Sequence, residues 1–219
     1  MIIIIFGQRG GASKSICSQN LAVELAYRQK SVCLVDADTG GTTTNFGSYR
    51  EEEGIEPAIF CVQKKGKITK TIQELNTKYD FVIVDVQGNI DRTRTQEMRS
   101  GLVAAHVALA PFKPTQDHRD SILDVQELID EAKDFNPDLK TFSLISLAPT
   151  HIAREQDIKF TKQMLTKHST MKVLDTVIYS RIVYSDAYAV GRGVKEMGDI
   201  KAKTEMNNLV TELLEKISG

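Results

Sequence analysis

Met1-Ile2-Ile3-Ile4-Ile5-Phe6-Gly7-Gln8-Arg9-Gly10-Gly11-Ala12-Ser13-Lys14-Ser15 opens the chain and decides how the rest is read. The continuous apolar run Ile2 to Phe6, rich in β-branched residues, suits a strand buried on both faces. From Gly7 the chain turns polar and glycine-rich, and Lys14-Ser15 leads straight into a helical pattern. Strand, glycine loop, Lys-Ser and helix in that order are the layout of a phosphate-binding P-loop. Glycines let backbone N–H groups converge on a phosphate, and the helix N-terminus adds its partial positive charge. In such a loop Lys14 neutralises phosphate charge and the Ser15 hydroxyl ligates Mg²⁺. The regular pattern, G-x-x-x-x-G-K-S/T, has glycine where this chain has Ser13.

Composition bounds the class. With 219 residues, 41% of them hydrophobic and 26% charged, the chain reads as one globular domain over residues 1–219. A net charge of −1 excludes a global basic field but leaves room for a local basic patch. Cys17, Cys33 and Cys61 are too scattered for a zinc or iron–sulfur spacing. Cys17 and Cys33 read as small core residues. Ile2 to Phe6 is too short for a secretory h-region and lacks a basic start. No apolar run approaches the ~20 residues that span a bilayer. The expected location is cytosolic.

Outward from the loop, helix and strand patterns alternate. Lys14 to Gln29 reads as a helix, with Cys17, Leu21 and Leu25 on one face. Ser31 to Asp36 is a second apolar strand running into Asp36-Ala37-Asp38, two carboxylates at a strand tip, where α/β sheets bind ligands. Capping or turn formation is their structural alternative. Residues 49 to 66 are the least regular, with Ala58 to Val62 as an edge strand. Ile68 to Lys78 is helical. Tyr79 to Asp85 has the form of a Walker B strand, whose aspartate holds the Mg²⁺ shell. His106 to Pro111 is a buried strand, broken by Pro111-Phe112-Lys113-Pro114. Thr115 to Asp134 reads as one amphipathic helix, Thr141 to Leu147 as a strand, and Ala153 to His168 as a helix. Lys172 to Ile178 is a short strand, and Tyr184 to Gly191 and Lys201 to Ile217 are closing helices. This alternation predicts a three-layer α/β P-loop domain: a mostly parallel twisted sheet flanked by helices.

These motifs resemble the ParA-type partition ATPases of the ParA/MinD superfamily, in the short class typified by ParF, over nearly the whole length. The family's deviant Walker A loop, K-G-G-x-G-K-S/T, is matched by Arg9-Gly10-Gly11-Ala12-Ser13-Lys14-Ser15. Its D-x-D matches Asp36-Ala37-Asp38, and its Walker B strand matches Phe81 to Asp85. Thr176 to Arg181, Ala187, Gly191 and Val194-Lys195-Glu196 resemble its closing segment. Four departures cluster near the phosphates: Arg9 for lysine, Ser13 for glycine, Thr39-Gly40 for Pro-Gln and Val86-Gln87 for Thr-Pro. If the loop requires φ > 0 at Ser13, serine is strained there.

The resemblance implies ATP and Mg²⁺ as ligands and a homodimer that sandwiches two nucleotides. Gly10, Gly11, Ala12, Ser13, Lys14, Ser15 and Ile16 are then the phosphate-binding set. Ser15 ligates Mg²⁺, and Asp36 and Asp85 act through its waters. Asp38 orients or deprotonates the attacking water. Arg9 stands where the family has a lysine that crosses to the partner's phosphates, and its planar fork can still bridge them. Implied partners are a ParB-like centromere-binding protein, which stimulates hydrolysis, and non-specific DNA on the nucleoid. Lys159, Lys162, Lys167, Lys172, Arg181, Lys201 and Lys203 are candidate DNA contacts. The alternatives are a MinD-like positioning ATPase, a VirC-like conjugation ATPase and a metabolic ligase of the same fold. The tail Thr211 to Gly219 has two glutamates, one lysine and no aromatic, unlike a basic membrane-anchoring helix.

Overall fold

A computed structural model of the chain describes residues 1–7, 9–11, 13–88, 96–151 and 154–219. Its centre is a seven-stranded sheet: β1 (Ile2–Ile5), β2 (Val32–Ala37), β3 (Phe60–Gln63), β4 (Phe81–Val86), β5 (Val107–Phe112), β6 (Lys140–Ala148) and β7 (Lys172–Tyr179). The spatial order is β3-β2-β4-β1-β5-β6-β7, and every pairing is parallel. The helices are α1 (Lys14–Tyr27), α2 (Thr42–Glu52), α3 (Thr69–Asn76), α4 (Gln96–Ala104), α5 (Gln116–Asp120), α6 (Ile122–Lys133), α7 (Glu155–His168), α8 (Val183–Ala189) and α9 (Ile200–Ser218).

The isoleucine run is apolar throughout because β1 is central and covered on both sides. Ile3 and Ile5 join the core made with α1, α8 and α9, while Ile2 and Ile4 join the core made with α3, α4, α6 and α7. Burying one isoleucine fully is worth about 1.5–3 kcal/mol, so this strand anchors both layers. Cys17 and Cys33 are both buried, one in each core. The apolar stripe of α9, Met206, Leu209, Leu213 and Ile217, is buried in the first.

Several local expectations are corrected. Thr42 to Glu52 is a helix, although its start reads Thr-Thr-Thr-Asn. Residues of low helix propensity are held there because the Asp36 carboxylate accepts from the Thr44 amide at 2.7 Å, capping α2 from a distant strand tip. Gln96 to Ala104 is also a helix, with Gly101 in its interior. A Cβ at Gly101 would meet Ile4 Cδ1 at 2.6 Å, so glycine lets α4 lie directly on β1. The expected helix 115–134 is two helices that break at Ser121, whose amide and hydroxyl both donate to the His118 carbonyl, at 3.2 and 2.8 Å. β5 continues through Pro111, which pairs in register with Leu144. The Leu109 carbonyl accepts from Phe6 N, so the missing amide of Pro111 faces β1 beyond the point where β1 ends. Ala153, expected to open a helix, lies outside the described residues; the helix is described from Glu155.

Candidate nucleotide site

β1, β2, β4 and β5 end side by side, and their tips carry the site. The register sets Asp85 beside both Ile5 and Asp36, so two carboxylates and the glycine loop share one edge of the sheet. Ser13 sits at φ 68°, ψ 20° immediately before α1. The loop therefore does require the left-handed conformation where serine replaces glycine, at a cost of about 1–2 kcal/mol. The Ser13 hydroxyl points inward, 3.7 Å from Cys17 Sγ. Gly11 takes the same φ of 68° without the Cβ strain that Ser13 bears. Ala12, expected in the phosphate set, lies outside the described residues, whereas Ile16 is half-buried in the first turn of α1.

Lys14 is 7% exposed, and its Nζ donates to the Arg9 carbonyl at 2.9 Å. Burial pulls its pKa down, and Asp85 and Asp38 oppose that. A Cβ at Gly88 would collide with Lys14 Nζ and sit 2.6 Å from the Arg9 carbonyl oxygen, so the turn after β4 closes on the lysine only as glycine. Arg9 is half-buried, and its Nε has no hydrogen-bond partner among the described residues.

Asp85 is 1% exposed. Its Oδ2 accepts from Thr43 Oγ1 at 2.7 Å, and Ser15 also hydrogen-bonds to the carboxylate. Its Oδ1 is buried with no hydrogen-bond partner among the described residues. Burial pushes this carboxyl up to about 6, against the pull of the Ser15 and Thr43 hydrogen bonds. A buried carboxylate with a free oxygen beside a Ser hydroxyl is a hard-oxygen donor set, which fits Mg²⁺. Among the described residues no three His, Cys, Asp or Glu converge on one point. A Mg²⁺ held by phosphate oxygens, water and one or two carboxylates needs no such cluster.

Asp36 and Asp38 both make the local contacts open to them. Asp36 Oδ1 accepts from Asp38 N at 3.0 Å, and Oδ2 from the Thr44 amide and hydroxyl. Asp38 Oδ1 accepts from Gly40 N at 2.9 Å, forming an Asx turn. Two of the family departures meet each other, since Thr39 Oγ1 donates to Gln87 Oε1 at 3.1 Å and ties the tips of β2 and β4 together.

Three residues of the site escaped sequence reasoning. Thr43, fully buried, accepts from Gln19 Nε2 at 3.3 Å while donating to Asp85, and so links α1, α2 and β4. Its only signal is position, at a helix start just past the D-x-D tip. Lys113, following β5, reaches over Gly11. His118 is buried, and its pKa falls to about 4. Burial is the first cause; Lys113, Lys14 and Arg9 add to it and Asp117 opposes.

The expected DNA residues do not form one helix face. Lys159, Lys162 and Lys167 lie on α7, and Lys201 and Lys203 on α9, which belongs to the opposite layer. Lys162 Nζ donates to the Asp175 carbonyl at 2.7 Å, and Arg181 is held by Glu205 at 3.0 Å, so both are engaged internally. Lys159, Lys167, Lys172 and Lys201 are exposed, Lys159 in a surface pair with Glu155.

Residues 3–194 match the family model described as the CobQ/CobB/MinD/ParA nucleotide binding domain. The chain belongs to this family. A ParA family protein of Mycoplasma pneumoniae is 29% identical over 200 residues, covering 69% of this chain and 71% of that protein. Among solved structures, the septum site-determining protein MinD of Pyrococcus horikoshii, complexed with Mg-ADP, superposes with TM-score 0.76 at 17% identity over 100% of this chain and 97% of its own. A Cyanothece McdA–ATP complex gives TM-score 0.73 at 14% identity over 98% and 96%. The CobQ/CobB/MinD/ParA fold, with its nucleotide-binding role, therefore matches the glycine loop and strand-tip carboxylates described above. Among the described residues no helix is long and apolar enough to cross a membrane.

Proposed function

We propose that this chain is a ParA-type ATPase that segregates DNA. It closes as a homodimer on ATP and Mg²⁺, binds duplex DNA without regard to sequence on the nucleoid, and is reset when a ParB-like partner stimulates hydrolysis. The observation that carries this reading is Lys14, at the end of a glycine loop, near an Asp85 carboxylate with one buried oxygen unpartnered among the described residues. The likeness to a ParA family protein supports the partition role.

Lys14 and the amides of residues 10 to 16 hold the phosphates. Ser15 and Asp85 would hold Mg²⁺ with Asp36 behind them, and the ion would supply positive charge against the phosphate oxygens. Asp38, oriented by its bond from Gly40, orients or deprotonates the attacking water. Arg9 reaches the partner's phosphates through its planar fork of donors. The exposed Lys159, Lys167, Lys172 and Lys201 are the first candidates for phosphate-backbone contacts. The burial of the α9 stripe in the core speaks against that helix as a membrane anchor.

The test is duplex DNA binding with no nucleotide, with ADP–Mg²⁺ and with ATP–Mg²⁺, each at low and moderate salt. Binding only with ATP, weakening steeply as salt rises, is the expected result. Absence of binding in every state, with ATP still bound, would overturn the DNA-carrier reading.

A further inference from the structure

We propose that Lys113 is a second phosphate-binding cation, supplied to the glycine loop by the same chain from the tip of β5. The inference rests on the nucleotide reading of the loop and adds a residue to it. Lys113 follows Phe112, and both Phe112 and Pro114 are buried, so the backbone on either side of the lysine is pinned. Pro111 and Pro114 restrict it further. From this position the side chain extends over the loop. A Cβ built on Gly11 would sit 3.4 Å from Lys113 Nζ, and around Gly10 a Cβ would meet nothing within 4 Å. The space above the loop is thus open, with the ammonium at its border.

Lys113 is half-buried, yet no hydrogen bond or ion pair to it is found among the described residues. Lys162 ends on the Asp175 carbonyl at 2.7 Å and Lys195 on the buried Glu24 carboxylate at 3.3 Å, whereas half-buried Lys64, Lys133 and Lys203 also show no side-chain bond among the described residues; Lys113 differs from those three in standing beside the glycine loop. A partly desolvated ammonium without an acceptor is costly unless an anion completes it. Its neighbours make the imbalance larger. Arg9, Lys14 and Lys113 all bear on the buried His118 imidazole, which supplies no counter-charge near pH 7; Asp117 is the one carboxylate acting on it, against three cations. Asp85 and Asp38, the carboxylates felt by Lys14, face that lysine. A polyphosphate laid along Gly10 and Gly11 would meet Lys14 on one side and Lys113 on the other. Since Gly11 and Lys113 belong to one chain, this contact forms before any second copy arrives.

The test is calorimetric titration of ATP–Mg²⁺ into the wild-type protein, Lys113→Met and Lys113→Arg, with thermal unfolding of each in the absence of nucleotide. Lys113→Met should lose about tenfold in affinity, the size of one charge-assisted hydrogen bond. Lys113→Arg should keep most of it. The nucleotide-free unfolding midpoint of Lys113→Met should not fall, because the substitution removes one of three neighbouring like charges. Equal affinity of Lys113→Met and wild type would overturn the inference and leave the nucleotide reading standing. Equal losses in both variants with early unfolding would mark a purely structural lysine and also overturn it. If the wild-type protein binds no nucleoside triphosphate, the nucleotide reading falls and the inference with it.

Discussion

The two ends of α2 meet the protein in opposite ways. At its C-terminal end Arg50, 2% exposed, is completely partnered. Its Nε and Nη2 donate to the Pro57 carbonyl at 3.2 and 2.9 Å, Nη1 to the Gly191 carbonyl at 3.1 Å, and both Nη atoms to Glu196 at 2.8–2.9 Å. Glu196 Oε2 also accepts from Gly193 N at 2.9 Å. Gly191 must be glycine, since it has φ 65° and any Cβ would collide with the Arg50 amide. At the N-terminal end of α2, Thr43 reaches a carboxylate that is left half satisfied. Nearby, Ser13 is strained and Lys113 has no acceptor among the described residues. A buried charge with all its hydrogen bonds made is a clamp that holds the C-terminal segment against α2. The Asp85 carboxylate, with one oxygen unpartnered among the described residues, is what the proposed Mg²⁺ would complete.

Removing the clamp should have the largest effect on stability. Arg50→Ala leaves Glu196 charged and buried, and should lower unfolding stability by about 3–5 kcal/mol in urea titration. A drop below ~1 kcal/mol would mean that the pair is solvated and that the contrast between the two ends is weaker than drawn. Asp85→Asn should behave in the opposite sense. The metal-free protein should be no less stable at pH 7, and up to ~2 kcal/mol more so, because the buried charge is gone. Mg²⁺-dependent nucleotide affinity should fall on the order of tenfold to a hundredfold. The sign in pH follows from the shift. Asp85 binds its proton more tightly folded (about 6) than unfolded (3.8), so its contribution to metal-free stability declines as pH rises from about 4 through 6. Urea midpoints across that range should show this slope in wild type and a flatter one in Asp85→Asn. Ser13→Gly is the smallest change. It should raise the thermal midpoint by the equivalent of about 1 kcal/mol, as the left-handed residue loses its Cβ. A lower midpoint would show that the Ser13 contact with Cys17 outweighs the strain.

The same contrast explains what was legible in the sequence. β1, β2 and β4 declare themselves because strands covered on both faces must be apolar throughout, and their carboxylates must then fall at the tips. Lys14, Ser15 and Asp85 follow from that, since a loop, a helix start and a strand end are local patterns. α2 and α4 were hidden because their causes are distant. Asp36 caps α2 from a strand, and Gly101, a helix-weakening residue in isolation, is explained only by Ile4 beneath it. Thr43 and Lys113 carry no motif, and they become part of the site only where separate loops converge. The Thr39–Gln87 contact likewise joins two departures that look independent along the chain. Two of the basic residues show the complementary limit. Sequence cannot show that Lys162 and Arg181 are already engaged by a carbonyl and a carboxylate.

If the strand tips at Lys14 and Asp85 are an incomplete site, ATP and Mg²⁺ together should complete it. Calorimetric titration of ATP into the wild-type protein, with and without Mg²⁺, tests it most directly. Saturable binding of one ATP per chain, markedly tighter with Mg²⁺, is the expected result. No heat of binding in either condition, at protein and ligand concentrations that would detect micromolar affinity, would contradict it.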